Sequence, residues 1–176
     1  VIYNFKKLRK ILQESGTSFF SNSDTEVVLE MYLKYGEKFA SKLKGMFSIA
    51  IYDSRKNRIL LARDIFGEKP LYLYRSKNEF FFASEISPIL YYLGQVLTEK
   101  SSFLMDYLLL GYSASGNTPF NEVENIKKGF IYKYENGIWT ESKFDQINEV
   151  NLSDSYIDSI NELDVILRKS VELQLE

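Results

Sequence analysis

The sequence of 176 residues contains neither cysteine nor histidine. The absence of cysteine excludes disulfides, thiolate metal sites and thiol nucleophiles among these residues. The absence of histidine removes the side chain whose free pKa lies closest to neutrality. Catalysis by this chain alone would therefore depend on carboxylates, lysine, tyrosine, serine or threonine. Because no serine or threonine has a histidine base, a serine-hydrolase triad is excluded as well.

The sequence also lacks a strong charge of either sign and a long apolar run. The net charge of −2 gives no electrostatic reason to expect binding to nucleic acid or to an anionic membrane. No apolar segment approaches the length that spans a bilayer. Hydrophobic residues make up 45% of the chain and aromatic residues 15%, which is enough for a packed core. Since the chain begins at Val1 and not at Met, we expect a processed protein or a piece of a longer one.

The hydrophobic period changes from helical to extended near residue 45. Helical spacing predicts an amphipathic helix over 4–15, a second helix from Ser23 to Gly36 with a Ser23–Glu26 capping box, and a short one over 37–44. Four strands joined by short connections then predict an antiparallel meander, over 46–53, 58–64, 71–76 and 79–85. The first strand is apolar at nearly every position, which predicts cover on both of its faces.

The rest of the chain continues an α+β pattern. Helical spacing returns over 86–93 and 101–110, and Asn136-Gly137 predicts a type I′ turn within a hairpin over 129–144. A long amphipathic helix starts at Tyr156 and meets no stop signal. We therefore expect helices and antiparallel sheet in the main domain, and a last helix that belongs to the next part of the protein.

Asp24 is the first candidate functional residue. The simplest interpretation is a helix-start carboxylate that is stabilised by the positive end of the helix dipole. Asp24 also lies three and four residues before Val27 and Val28, so its side chain should project along the buried stripe. A carboxylate at that inner rim could bind the ammonium group of a ligand.

The second candidate is the stretch "LLARDIFGEKPLYLY", residues 60–74, in which an apolar strand ends in two opposite charges. Side chains of adjacent strand residues point to opposite faces, so Arg63 and Asp64 should not pair with each other. One interpretation is a strand end that meets solvent. The other is a rigid loop, shaped by Gly67 and Pro70 and held by Arg63 or Asp64, that lines a pocket.

Several segments together resemble a known family. They are, in this order and spacing, "IYNFKKLRKIL", "SDTEVVLEMYLKYGEKFASKLKGMFSIAIYD", "LLARDIFGEKPLYLY" and "FFASEISPIL". A weaker likeness continues through "DYLLLGY" to Tyr132. In these segments the chain resembles the glutamine amidotransferase domain of glutamine-hydrolysing asparagine synthetases.

The resemblance implies an N-terminal-nucleophile hydrolase fold, a four-layer α/β/β/α sandwich of two antiparallel sheets. In this family a cysteine at the mature N-terminus attacks the glutamine amide, its own α-amino group serves as base, and an Asn-Gly pair stabilises the oxyanion. Ammonia then passes through a tunnel to a domain that activates aspartate with ATP. Neither the cysteine nor the Asn-Gly pair of the family is present at the matching place, so we expect no catalytic residue and an incomplete N-terminal part of the fold.

The resemblance assigns roles to particular residues. Asp24 matches the aspartate that holds the glutamine α-ammonium group, and Val1 takes the place of a glutamate that contacts glutamine. The remaining matches are expected to form scaffold near the pocket and the tunnel entrance: Arg63, Asp64, Gly67, Pro70 and Leu71. No metal ligand is expected in this chain.

The resemblance thus implies part of a glutamine-hydrolysing asparagine synthetase that is inactive by itself. Residues 1–145 would form the amidotransferase domain without its first strands, and residues 146–176 a linker and the first helix of the synthetase domain. The implied partners are glutamine and that synthetase domain, which would use ATP and Mg, in a cytoplasmic protein; a homodimer is left open. Two alternatives are an amidotransferase that acts on another carboxylate, as in polysaccharide or secondary-metabolite pathways, and a non-catalytic interaction module.

Overall fold

The computed structural model describes residues 1–94, 96–144 and 155–175. The chain divides into two compact units, one of Val1–Gly45 with Phe144–Glu176 and one of Met46–Lys143. The predicted polar linker over 148–154 and the predicted domain boundary at 145–146 lie outside the described residues.

The first unit begins with the helices that the periodicity predicts. Helix α1 spans Phe5–Glu14, helix α2 spans Asp24–Tyr35, and a 3-10 helix follows at Gly36–Lys42. Of the predicted inward-facing residues of α1, α2 and the 3-10 segment, Phe5 is half-buried and the others are buried: Leu8, Leu12, Val27, Val28, Met31, Tyr32, Phe39, Ala40 and Leu43. The side-chain spacing therefore predicts both the helices and their buried faces correctly.

The capping box at the start of α2 forms only in part. Ser23 Oγ accepts a hydrogen bond from Glu26 N–H at 3.2 Å, as predicted. The Glu26 carboxylate does not return to Ser23; it accepts from Phe20 N–H and Ser21 N–H, both at 2.7 Å. Glu26 therefore fixes the loop before the helix.

The sheet prediction for the second unit is wrong in its connectivity. The strands do not form one meander but two antiparallel sheets, and the chain passes from one to the other between residues 63 and 72. The first sheet, in the order β1-β2-β6-β7, contains Ser48–Asp53, Arg58–Arg63, Phe130–Glu135 and Ile138–Lys143. The second sheet, in the order β4-β3-β5, contains Phe80–Ala83, Tyr72–Arg75 and Val123–Asn125.

Two packed cores hold the second unit together. The first core lies between the sheets and consists of Leu61, Leu71, Leu73, Ile126 and Tyr132. The second joins the other face of the second sheet to helix α3 (Ile86–Leu93) through Tyr74, Ile89, Leu97 and Val123. The unit therefore stacks a sheet, a second sheet and a helix, which is an α+β arrangement.

Other sequence predictions for this unit have mixed outcomes. The type I′ turn is confirmed, because Asn136 has φ 51° and Gly137 has φ 80°. The prediction that strand β1 is covered on both faces is wrong, since Tyr52 is 66% exposed. The three-residue strand β5 was not predicted.

Two of the helices that the structure describes have no buried side chain. Helix α4 spans Ser101–Leu110, and helix α5 of the first unit spans Tyr156–Leu175. Both lie where the sequence predicts helices, but most of their apolar residues are exposed, and Phe103 and Leu173 are half-buried.

Candidate functional site

Asp24 is the first residue of helix α2 and is half-buried. Its Oδ2 accepts a hydrogen bond from the backbone N–H of Ile2 at 3.1 Å. Its Oδ1 has no hydrogen-bond partner among the described residues. The positive end of the α2 dipole adds to this stabilisation of the charged carboxylate. One oxygen is thus held by the protein, and the other is left for a further donor.

The loop that leads into Asp24 is held from both sides. The Arg9 guanidinium lies 4.2 Å from the centroid of the Phe19 ring, a cation–π distance, and Arg9 Nη2 donates to Ser21 O. From the other side, the Glu26 carboxylate accepts from two backbone N–H groups of the loop and from Ser21 Oγ at 2.6 Å. The N–H of Phe20, followed by the hydroxyl of Ser21, lowers the pKa of Glu26.

The structure brings the two predicted substrate-binding residues to adjoining positions. Val1 is largely exposed, while Ile2 is 3% exposed and donates to Asp24. Ile2 also forms an isolated antiparallel bridge with Gly45. The backbone at Val1–Ile2 therefore has a fixed position beside the Asp24 carboxylate, and the roles of Val1 and Asp24 toward glutamine stay a prediction.

The second unit contains the loop between strands β2 and β3, in which Asp64 is 1% exposed. Its carboxylate accepts four backbone hydrogen bonds at 3.0–3.2 Å, from the N–H groups of Phe47, Phe66, Glu68 and Lys69. A buried carboxylate needs such donors, because its charge is otherwise poorly solvated. The Asp64 carboxylate is thus the shared acceptor for three N–H groups of the loop and for the N–H of Phe47.

Arg63 holds the same loop from the opposite side of the strand. Its guanidinium donates to Lys69 O and Gly67 O, both at 2.8 Å, and to Asn125 Oδ1 and Ile126 O, at 2.5 and 2.9 Å. Burial lowers the pKa of Arg63, and the charge of Asp64 opposes that shift. The guanidinium nevertheless remains charged at any physiological pH.

The other predicted scaffold residues complete this loop. Gly67 has φ +71°, and a Cβ on it would lie 3.2 Å from Arg63 Nη2. Ser48 Oγ lies 2.9 Å from Pro70 O, and Leu71 is buried in the core between the sheets. The loop is therefore a rigid crossing between two sheets, as the second of the two sequence interpretations requires. Its proposed place beside a pocket or tunnel stays a prediction.

The family model for the glutamine amidotransferase domain matches residues 1–145. The chain belongs to this family. Within the part that the structure describes, no helix of this amidotransferase domain or of the residues after it is long and apolar enough to cross a membrane. No three carboxylates in the described ranges are grouped to hold a metal ion.

Curated relatives of the amidotransferase domain include two glutamine-hydrolysing asparagine synthetases of Bacillus subtilis strain 168. Asparagine synthetase 1 is 34% identical over 128 residues, which are 73% of this chain and 20% of that protein. Asparagine synthetase 3 is 28% identical over 178 residues, which cover 99% of this chain and 28% of that protein. The chain thus spans between a fifth and somewhat over a quarter of the length of these relatives.

Solved structures share the fold at low identity. The glutamine phosphoribosylpyrophosphate amidotransferase of B. subtilis superimposes with a TM-score of 0.56 at 19% identity, over 84% of this chain and 28% of that one. An allosteric regulatory enzyme of purine biosynthesis gives a TM-score of 0.55 at the same identity. This likeness confirms the predicted fold class of two antiparallel sheets with helices.

Sequence reasoning missed Asn4 and Gly45. Asn4 precedes a helix, so it would be taken for an N-cap residue, but its side chain makes no cap hydrogen bond and lies 8% exposed. Gly45 marks a change of period and would be taken for a simple breaker. The only sequence signal for Asn4 is its place directly before the apolar start of α1. This signal does not indicate that its side chain bonds to backbone groups about forty residues away.

Proposed function

We propose that this amidotransferase domain binds glutamine and takes part in its hydrolysis to supply ammonia. The observation that carries the proposal is the Asp24 carboxylate, held by the Ile2 N–H with its second oxygen unused among the described residues. A fixed, half-buried carboxylate suits the α-ammonium group of an amino acid, because charge-assisted hydrogen bonds are stronger than neutral ones. The family membership and the asparagine synthetase relatives support the same assignment.

In this proposal the chain supplies binding and scaffold but no catalytic group. Hydrolysis needs a nucleophile and donors for the oxyanion, and these 176 residues contain no cysteine. Asp24 binds and orients the substrate, and Val1 presents exposed backbone and side chain next to it. The loop held by Arg63 and Asp64 provides fixed backbone. The chain alone is therefore expected to hydrolyse no glutamine.

We further propose that the parent protein is an asparagine synthetase. Residues 1–145 would be its amidotransferase domain, and residues 146–176 the linker and first helix of a synthetase domain that uses ATP and Mg to amidate aspartate. The relatives named above carry this activity in their names and are several times longer than this chain. The amidation of another carboxylate is the alternative that the same domain could serve.

The test is an assay of glutaminase and asparagine-forming activity on the product of the complete open reading frame. We expect Asp24→Ala to raise the glutamine KM by about 10- to 150-fold, because a lost hydrogen bond to a charged group is worth about 1.5–3 kcal/mol. Asparagine formation from free ammonia should persist in the variant, since ammonia bypasses the glutamine site.

Glu30→Gln is the matched control, because Glu30 is on the same helix and its side chain accepts no hydrogen bond within the described ranges. An Asp24→Ala enzyme with wild-type glutamine KM would refute the assignment of Asp24. Glutaminase activity without any asparagine formation would favour an amidotransferase for another acceptor. A complete wild-type protein that does not hydrolyse glutamine would favour the third alternative, a non-catalytic interaction module.

A further inference from the structure

The segment before helix α1 is fastened to residues 42–45 by a buried asparagine. Asn4 Nδ2 donates to Lys42 O at 2.9 Å, and Asn4 Oδ1 accepts from Lys44 N–H at 2.9 Å. Next to it, Tyr3 N–H donates to Lys44 O at 2.8 Å. The Asn4 amide thus pairs with one carbonyl and one N–H of the 42–44 backbone, as the backbone of a neighbouring strand would do. Its burial makes this pairing obligatory, because an unsatisfied buried amide costs free energy.

Gly45 allows an approach that no other residue could. A Cβ at this position would lie 2.3 Å from Val1 O and 3.0 Å from Ile2 Cα, and both are backbone atoms. Backbone atoms cannot rotate away as a flexible side chain can, so any larger residue must displace the Val1–Ile2 peptide. The missing side chain of Gly45 is therefore what lets this peptide lie where it does.

That same peptide carries the N–H that holds Asp24. Ile2 N donates to Asp24 Oδ2 at 3.1 Å. To relieve a Cβ contact at 2.3 Å, the peptide would have to move by about 1 Å. A shift of this size would break a hydrogen bond of 3.1 Å. The carboxylate would then be free to rotate at the helix start.

The geometry points to Asn4 and Gly45 as positioning residues for substrate binding. They fix the Ile2 N–H, and this N–H holds one oxygen of Asp24 and leaves the other for the ammonium group of the substrate. Neither residue touches the substrate. The inference rests on the proposed function, since it takes Asp24 as the group that binds glutamine.

The test uses the complete enzyme with Gly45→Ala and Asn4→Ala. We expect each to raise the glutamine KM by about tenfold with kcat within about twofold, as for the loss of one hydrogen bond to a charged group. A purely structural role would instead lower the melting temperature and the active fraction, and so reduce kcat at unchanged KM. Gly16→Ala is the control: Gly16 also has positive φ (+93°), but a Cβ there meets no atom within 4 Å.

A second measurement asks whether the two residues act through Asp24. In an Asp24→Asn background, Gly45→Ala should add less than twofold to the glutamine KM, because the contact it disturbs no longer holds a charge. Fully multiplicative effects would overturn the inference. If the Gly45→Ala protein does not fold, the Asn4→Ala variant is used for both measurements, because it keeps the close contact between Gly45 and the Val1–Ile2 peptide.

The outcomes separate this inference from the proposed function. An active wild-type enzyme with unchanged KM in both variants would overturn the positioning role alone. A wild-type enzyme with no activity on glutamine would overturn the proposed function and the inference with it.

Discussion

Several carboxylates in this chain each accept hydrogen bonds from more than one backbone N–H group, and Asp64 and Glu26 are two of them. Asp64 accepts four of them inside the second unit, and Glu26 accepts two at the surface of the first. In both cases one acidic side chain accepts hydrogen bonds from loop N–H groups that have no partner in regular secondary structure, and it thereby fixes the loop. At the scale of single residues, the acids of this chain therefore determine loop conformation.

The lowered pKa of Glu26 makes its contribution depend on pH. Between the lowered pKa of the folded state and the ordinary value of 4.5, the unfolded chain binds more protons than the folded one. The stabilisation is therefore complete above pH 4.5 and is lost as the pH falls through the folded pKa. We expect Glu26→Gln to be less stable than wild type at pH 7 and to lose less stability between pH 5 and pH 3.

Urea denaturation at several pH values measures this difference. Glu30→Gln is the control for the loss of one acidic side chain, because it removes from the same helix a carboxylate that accepts no hydrogen bond in the described ranges. Parallel curves for Glu26→Gln and wild type would contradict the role of the Glu26 hydrogen bonds.

At the scale of elements, the sequence predicts where most helices and strands lie but not how strands pair. Short apolar runs mark β2 and β3 as strands, whereas their partners β6 and β5 lie about 70 and 50 residues further along the chain. Short connections usually join neighbouring strands, so a meander was the reasonable prediction. The Arg63–Leu71 loop is an exception to this rule, because it is short but connects strands of two different sheets. Hydrogen bonds from Arg63 and to Asp64 keep the loop in this conformation.

Strand β5 and the role of Asn4 could not be predicted for a related reason. Three residues, Val123–Asn125, are too few to show alternation. Asn4 depends on carbonyl and N–H groups near residue 43 that only the folded chain brings close. The position of Asp24 was predicted from the helix start and from the family resemblance, but the donor that holds it was not.

Gly67 tests the crossing loop, because it combines positive φ with contact to Arg63. We expect Gly67→Ala to lower the free energy of unfolding by roughly 1–3 kcal/mol more than Gly116→Ala. Gly116 has nearly the same φ, +70° against +71°, but a Cβ there meets no atom within 4 Å. Both substitutions place alanine at nearly the same positive φ, which costs about 1–2 kcal/mol, and only Gly67→Ala pushes on a guanidinium that donates four hydrogen bonds.

Chemical denaturation of the two variants gives the comparison directly. Equal losses would mean that the Arg63 side chain moves aside without cost, and that the loop is less rigid than its hydrogen bonds indicate.

At the scale of the whole molecule, apolar surface and strand edges are exposed together. Helix α4 exposes Leu104, Leu108 and Leu109 at 52%, 71% and 75%. Among the described strands, β1, β7, β4 and β5 each have one unpaired edge. Surfaces of these two kinds favour association between protein chains.

We expect the isolated chain to self-associate with increasing concentration. The double variant Leu104→Glu/Leu108→Glu places two charges on one face of α4 and should weaken association at least about tenfold in the dissociation constant. Sedimentation velocity over a range of concentrations measures this. Tyr52→Glu, at an exposed position of the edge strand β1, tests the contribution of the strand edge separately.

A chain that stays monomeric at every concentration would contradict the prediction. Loss of association in the Tyr52→Glu variant, with none in the α4 variant, would mean that the strand edge and not the helix makes the contact.

The lack of buried side chains on helix α4 has a consequence for its motion. A helix of ten residues is marginal in water by itself, and packing normally supplies most of its stability. Because none of its side chains is fully buried, we expect α4 to unwind without disturbing the inter-sheet core, so its amide protons should exchange with solvent long before those of β2 and β6. The helix is an independently melting segment attached to a cooperative sandwich.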